Sequence, residues 1–334
     1  LRPSDIVLVP LSGVYGLLQI LDRSIKMLGR ASASRPVVSV GNLTTGGSGK
    51  TPFTVLLCGL LAGLRPVILS RGYGAKNPRR VIRPADGPLA GRAGDEPEML
   101  RDLTGRPVSV DADRTAASRR AASLAGVFVM DDGFQHYRLR RDADILLLDV
   151  SVPRSEYRLL PAGRLREPIS AVRRADIVVL TRCDAADPET LRFLTGSLQR
   201  LGIRKERIFR SRLATDRVRD QKGRTVQASR SKGGITAFAG IAKFASFRDS
   251  VLATFGTRKD IVFLPYPDHH RYGTVDIALL KSHADRGRTL LTTEKDAVKL
   301  RGRIGPFLTI RVRCVLEDQP RFKRTLLSLI GDQS

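Results

Sequence analysis

The chain is predicted to fold as an α/β protein: a P-loop-type doubly wound, mostly parallel sheet, a second and smaller α/β domain, and an amphipathic helix in front. Three observations predict it. Short β-rich runs alternate with helical stretches along 334 residues, as strands joined by crossover helices do. The early runs are almost continuously apolar, which strands covered on both faces require. The first of them, Val37-Val38-Ser39-Val40, feeds a glycine-rich loop that opens into an apolar helix beginning near Phe53.

The front segment comes first. Residues 6–21 carry no charged side chain but are broken by Pro10, Gly13 and Gly16, and they fall short of the roughly 20 residues that span a bilayer. Leu11, Val14, Leu18, Leu21, Ile25 and Leu28 recur at helical spacing, with Asp22, Arg23, Lys26 and Arg30 on the other face. Such a helix suits a membrane interface; the plainer alternative packs it on the protein's own core. A cleaved leader is not expected, because only Arg2 precedes the apolar run and Asp5 offsets it.

Buried parallel strands are expected at 37–40, 66–70, 108–110, 127–130, 145–148 and 177–180. Ligands in such sheets gather at the carboxyl ends of the strands, so the loops that follow these runs are the ones to read. Residues 213–234 turn polar and basic and read as an inter-domain connection holding one or two extended segments. Runs at 235–239, 261–264, 289–291 and 307–310 then supply the smaller unit.

A formal charge of +25 calls for an anionic partner. Nucleic acid would satisfy it, but aromatics are 5%, tryptophan is absent, and no basic run carries interleaved aromatic residues for stacking. Nucleic acid is therefore not expected; an anionic lipid or membrane surface fits the same charge. Cys58, Cys183 and Cys314 lie far apart without metal-ligand spacing and read as thiols in a reducing compartment. No obligate protein partner is indicated.

The loop Gly41-Asn42-Leu43-Thr44-Thr45-Gly46-Gly47-Ser48-Gly49-Lys50-Thr51-Pro52 carries the chemistry. Glycines let successive amides turn toward one anion, and the helix that follows adds the positive end of its dipole. Lys50 would reach the β- and γ-phosphates and the Thr51 hydroxyl would hold Mg²⁺. Thr44 stands where the first glycine of such loops is usual. Strand 127–130 ends in Asp131 and Asp132, placed as the metal-holding acids of a Walker B strand. Asp95 and Glu96 precede Pro97 at a helix start; they cap the helix, or one takes a proton from an attacking hydroxyl. Pro267-Asp268-His269-His270-Arg271-Tyr272 holds two of the four histidines, and an imidazole there could orient Asp95 or raise its basicity. Arg71, after strand 66–70, and Arg166 with Glu167, in a Pro-flanked loop, complete the set of candidates.

Taken together these motifs resemble the tetraacyldisaccharide 4′-kinases, the lipid A 4′-kinases of Gram-negative bacteria. The glycine loop, Ser70 to Gly74, Gly94 to Pro97, Asp131-Asp132-Gly133-Phe134-Gln135-His136, Leu160 to Pro168, Phe238-Ala239-Gly240-Ile241, Asp268-His269-His270 and Thr292-Thr293-Glu294-Lys295-Asp296 occur in the family's order. The Thr at the first loop position is the family's own residue. The resemblance implies transfer of phosphate from ATP to the 4′-hydroxyl of an acylated glucosamine disaccharide, at the cytoplasmic face of the bacterial inner membrane. It implies a front helix over 1–30, a P-loop kinase domain over 31–212, a linker over 213–234 and a smaller domain over 235–334 that closes over the cleft. By position, Asp95 matches the general base, with His269 or His270 as its partner. Thr44, Thr45, Gly46, Gly47, Ser48, Gly49, Lys50 and Thr51 match the ATP loop. Thr51, Glu96, Asp131 and Asp132 match nucleotide and Mg²⁺ positions, and Gln135, His136, Arg166 and Glu167 match other active-site positions. Two departures stand out. Ala242-Lys243-Phe244 replaces an Asn-Pro type continuation, and residues 151–157 lack the usual Gly-Asn.

Two other readings carry specific tests. Val179-Leu180-Thr181-Arg182-Cys183-Asp184 faintly resembles a guanine-reading loop, which predicts a preference for GTP. A nucleic-acid-stimulated ATPase predicts strand binding with a steep dependence on salt.

Overall fold

The structure, a computed structural model, describes residues 5–73, 75, 78–87, 92–221, 223–226, 234–256, 260–268 and 270–331, and the side chains from residue 8 onward. Gly74, His269 and parts of the basic stretch 213–234 lie outside the described residues. The chain opens with helix α1 (Asp5–Met27) and then alternates: β1 (Val37–Asn42), α2 (Lys50–Leu60), β2 (Pro66–Ser70), β3 (Arg80–Ile82), α3 (Asp95–Thr104), β4 (Val108–Val110), α4 (Arg114–Arg120), β5 (Val127–Asp131), β6 (Ala143–Asp149), β7 (Ile177–Thr181), α5 (Pro188–Arg200) and β8 (Ile208–Arg219). The second unit follows as β9 (Ile235–Gly240), α6 (Phe244–Phe255), β10 (Ile261–Tyr266), α7 (Thr274–Asp285), β11 (Thr289–Thr293), α8 (Glu294–Leu300), β12 (Phe307–Leu316) and α9 (Gln319–Ile330).

One 12-stranded sheet runs through both units in the order β10-β9-β11-β12-β8-β7-β6-β1-β5-β2-β4-β3. Every expected strand is present. β1, β5, β6, β7 and β9 are buried along their whole length, which is why the sequence there is apolar without alternation. Helices cover both faces. Phe53, Leu57 and Cys58 of α2 pack with Phe322, Leu326 and Ile330 of α9 on one face; Leu194 and Leu198 of α5 cover β6 and β7 on the other. In the second unit Phe247 and Val251 of α6 take one face, and Leu280, Ala297 and Leu300 of α7 and α8 take the opposite one.

The expected break at residue 213 falls inside β8. This strand pairs in parallel with β7 from Ile208 to Arg210 and antiparallel with β12 from Ser211 to Arg219. The last helix also returns to the first unit, where the Phe322 ring meets Phe53 and Phe209 edge-on at 5.7 and 5.2 Å.

Helix α1 buries the side opposite to the one its composition favours. Ser12 donates to the Leu159 carbonyl (3.0 Å) and accepts from the Ala162 amide (3.3 Å), and the Tyr15 hydroxyl donates to the Arg166 carbonyl (3.2 Å). Gly16 lies against Leu159. Leu11, Val14, Leu17, Leu18, Leu21, Ile25 and Leu28 face outward, with Leu28 89% exposed. The small and polar stripe is the inner one, so core packing does not account for the apolar residues. No helix among the described residues is long and apolar enough to cross a membrane.

Candidate active site

The carboxyl ends of β1, β2, β5, β6 and β7 open on a cleft of roughly 2120 Å³ that the second unit roofs. At its floor the chain leaves β1 and turns through Gly46 (φ 96°) and Gly49 (φ 85°), a backbone region that L side chains rarely enter. Thr44 needs no such freedom. Its carbonyl accepts from the Asn42 side-chain Nδ2 at 2.8 Å and it bridges Leu165 in an antiparallel pair, so the first loop position is extended and tolerates a side chain. The loop is held from below by the Thr181 hydroxyl, which donates to the Ser48 carbonyl (3.1 Å), and from the side by the Thr45 amide on the Arg164 carbonyl (2.8 Å). The first turn of α2 therefore points its unpaired amides, Lys50 and Thr51 into the cleft.

Lys50 Nζ lies 3.1 Å from Asn42 Oδ1 and 3.4 Å from Asp132 Oδ1. Asp132 follows the end of β5 at φ 48°, which swings its carboxylate up between Lys50 and Arg166, whose Nη1 is 3.3 Å from Oδ2. Burial raises the Asp132 pKa, but Lys50 and Arg166 more than offset this and hold it below the ordinary carboxylate value. Its neighbour Asp131 is the opposite case. Burial, then the charges of Glu96 and Asp132, push it up to about 7, although Lys50 and a 3.0 Å bond from the Thr54 hydroxyl act the other way. Arg114, buried beneath β5 and donating to the Asp111 carbonyl (3.0 Å), is pulled down to about 10 by burial.

Asp95 and Glu96 occupy the first turn of α3 behind Gly94, and both line the cleft with Lys50, Thr51, Asp131 and Asp132. Gln135 donates to the Asn42 carbonyl and to Glu167 Oε1, each at 3.0 Å. Glu167 is buried and takes two bonds from Arg174 (2.6 and 3.0 Å), which itself packs 4.4 Å over the Phe134 ring. Gln135 and Glu167 thus brace the Arg166 segment. Arg71 lines the cleft, as does His136, whose Nε2 is buried without a hydrogen-bond partner and which burial, then Arg114 and Arg141, lowers to about 4. That imidazole is neutral at pH 7.

Of the two candidate histidines, the structure does not bring His270 to Asp95. His270 Nε2 pairs with Asp276 Oδ2 at 2.9 Å, its ring stacks on Tyr266, and it is absent from the cleft lining; His269 lies outside the described residues. Asp268 and Arg271 of the same loop do reach the cleft. Sequence reasoning missed Arg114, Glu294, Arg182 and Lys243 as lining residues. Glu294 stands one step beyond β11, where burial raises it to about 7 against Arg311 and Arg219. It lies in the Thr-Thr-Glu-Lys-Asp motif, a signal that was visible. Cations outnumber carboxylates in this lining, so part of the excess charge faces the cleft.

This arrangement can bind a polyphosphate on the loop, balance its charge with Lys50 and Arg166, and present a carboxylate to an incoming hydroxyl. A divalent cation also fits. Asp132 is held below the ordinary carboxylate value beside Lys50, and the Asp131 carboxyl is raised by burial and then by the charges of Glu96 and Asp132, which a cation would relieve. No group of three or more His, Cys, Asp or Glu side chains placed to hold a metal exists among the described residues, but Mg²⁺ takes one or two carboxylates and completes its shell with hydroxyl, water and phosphate oxygens.

Known proteins share this organisation. A family described as tetraacyldisaccharide-1-P 4′-kinase (LpxK) matches residues 4–331. A tetraacyldisaccharide 4′-kinase of Syntrophus aciditrophicus is 38% identical over 325 residues, covering 89% of this chain and 84% of that one. One from Anaeromyxobacter dehalogenans is 39% identical over 304 residues, covering 87% and 79%. The crystal structure of LpxK from Aquifex aeolicus in complex with ATP superposes with a TM-score of 0.78 at 29% identity, covering 97% of this chain and 98% of that one. Since the match takes in both units and the cleft between them, the chain belongs to the tetraacyldisaccharide 4′-kinases, the kinases of lipid A biosynthesis.

Proposed function

We propose that this chain binds ATP on the loop from Thr44 to Thr51 and transfers its γ-phosphoryl group to the 4′-hydroxyl of an acylated disaccharide 1-phosphate. The acceptor is drawn from the cytoplasmic face of a bacterial inner membrane. The observation that carries this reading is the meeting of Lys50, Thr51, Asp131, Asp132, Asp95 and Arg166 in one cleft, beside a helix whose apolar side faces outward.

Lys50 and the first amides of α2 neutralise the β- and γ-phosphates, and Arg166 covers the charge that spreads over the transferring group. Asp95 accepts the proton as the sugar oxygen attacks phosphorus and the bond to the β-phosphate oxygen breaks, leaving ADP. A magnesium ion, held by Thr51, Asp131 and Asp132 with Glu96 nearby, would supply Lewis-acid charge on the phosphate oxygens. Exposed leucines of α1 suit an approach to a lipid surface, and the basic cleft suits an anionic acceptor.

The test is transfer of labelled γ-phosphate from ATP to a tetraacyldisaccharide 1-phosphate in detergent micelles, with wild type, Lys50→Ala and Asp95→Ala side by side. Labelled lipid from wild type, strongly reduced in both variants, supports the reading. Loss only with Lys50→Ala removes Asp95 from its role, and ATP hydrolysis without lipid product overturns the acceptor.

A further inference from the structure

The two departures from the family pattern meet in space. Lys243, in the Ala242-Lys243-Phe244 stretch, places its Nζ 2.8 Å from Asp149 Oδ2 and 2.8 Å from Ser151 Oγ, the first residue of the segment without Gly-Asn. Asp149 ends β6 in the first unit, whereas Lys243 precedes α6 in the second. Asp149 is buried, and its other oxygen accepts from the Ser151 amide (3.0 Å) and hydroxyl (2.6 Å). Arg182, at φ 60° after β7, adds a second cation at 3.3 Å.

Local preference does not explain the lysine. It occupies the N-cap of α6 and makes no capping bond there; that position favours Ser, Thr, Asp or Asn, and a cation opposes the helix dipole. A residue that breaks a local rule this way marks a tertiary role. The second unit also touches the first through Arg301 and Asp102 at 2.6 Å, but Arg301 is 41% exposed, and solvated pairs of that kind hold little. Asp149 is 4% exposed, so losing Lys243 leaves a buried carboxylate short of a partner.

The cluster also stands at a useful place. Thr181, which secures the phosphate loop through Ser48, immediately precedes Arg182. The cluster thus flanks the loop on the β6–β7 side, with the acids on the β5 side. We propose that Lys243 is a positioning residue for phosphoryl transfer: by donating into Asp149 and Ser151 it seats the second unit on the loop flank of the cleft. It thereby holds Asp268, Arg271 and Lys295 over the reacting groups. This rests on the kinase reading above.

The experiment compares wild type with Lys243→Met, Lys243→Arg, Ser151→Ala and the Met/Ala double variant in the micellar lipid assay. Equilibrium ATP binding and melting temperature are measured alongside. Misplacement of the second unit predicts that Lys243→Met lowers kcat about tenfold while the Kd for ATP stays within about twofold, since the loop is untouched. Lys243→Arg recovers most of the rate, and the double variant loses less than the sum of the two single losses because both changes remove the Lys243–Ser151 contact. An unchanged kcat in Lys243→Met overturns the proposal. So does an Arg variant as slow as the Met variant with a matching fall in melting temperature, which would make the residue a packing element only. Wild type without lipid product would instead overturn the acceptor assignment.

Discussion

Lys50 and Asp132 face each other across the cleft floor, Nζ to Oδ1 at 3.4 Å, one from the first turn of α2 and the other from the end of β5. The cation and the carboxylate to which the proposed mechanism assigns phosphate and metal are therefore preassembled. Replacing Lys50 by Ala should reduce kcat about 10²- to 10³-fold, the usual loss when one charge-stabilising donor is removed. Lys50→Arg should not restore it, because the planar fork cannot share Asn42 and Asp132 as an ammonium does. Steady-state kinetics checks both.

Asp95→Asn should lower kcat about 10²- to 10⁴-fold with nucleotide affinity retained, since the loop is intact. His270→Ala should cost about 1 kcal/mol of stability through the lost bond to Asp276 and fall well short of Asp95→Asn in kinetics. Equal kinetic loss in a variant of unchanged melting temperature would show that His270 leaves Asp276 and works on the substrate.

Asp131 sets a pH dependence. Its carboxyl rises from the ordinary 3.8 to about 7 in the folded protein. Between those values the native state holds a proton that the unfolded chain has lost. This group therefore makes the protein less stable as pH climbs through that window. A cation takes the ionised form, so Mg²⁺-dependent stabilisation should grow as pH rises toward 8. Asp131→Asn should flatten both trends in thermal melts with and without Mg²⁺.

Buried Glu167 and half-buried Arg174 form a two-bond pair. Glu167→Ala should destabilise the protein by about 2–3 kcal/mol, because it removes hydrogen bonds to a charged, largely desolvated guanidinium. A melting temperature within a degree of wild type would contradict the bracing role.

Leu17 and Leu21 are 66% and 60% exposed on α1. Changing both to Glu should abolish sedimentation with anionic vesicles while leaving turnover in micelles near wild type. Wild-type binding should weaken as salt screens the basic residues.

The buried strands were legible because residues covered on both faces must be apolar, and the loop and acids because phosphate chemistry restricts residue type. β8 was legible only as an extended segment in the connection after residue 213. Phe209 and Ser211 point inward while Arg210 and Arg212 point outward, and that arginine alternation hides a sheet strand shared by both units. The orientation of α1 escaped for another reason: two hydrogen bonds from Ser12 and Tyr15 fix it, and helical periodicity cannot weigh them against the apolar stripe on the opposite side. Lys243 and Ser151 were visible as oddities, but a separation of 92 residues hid their contact.

The handover along β8 has a mechanical consequence. Arg219 and Thr309 stand opposite each other in the ladder where β8 leaves the first unit and β12 comes back, and α9 then anchors the returning end beside α2. The second unit is in effect an insertion carried on a two-stranded stalk, its entry and exit side by side. A ribbon of two hydrogen-bonded strands bends across its flat face far more easily than it shears within its plane. A closing movement of the roof would follow that bend, its track set by the backbone ladder rather than by the length of a loop.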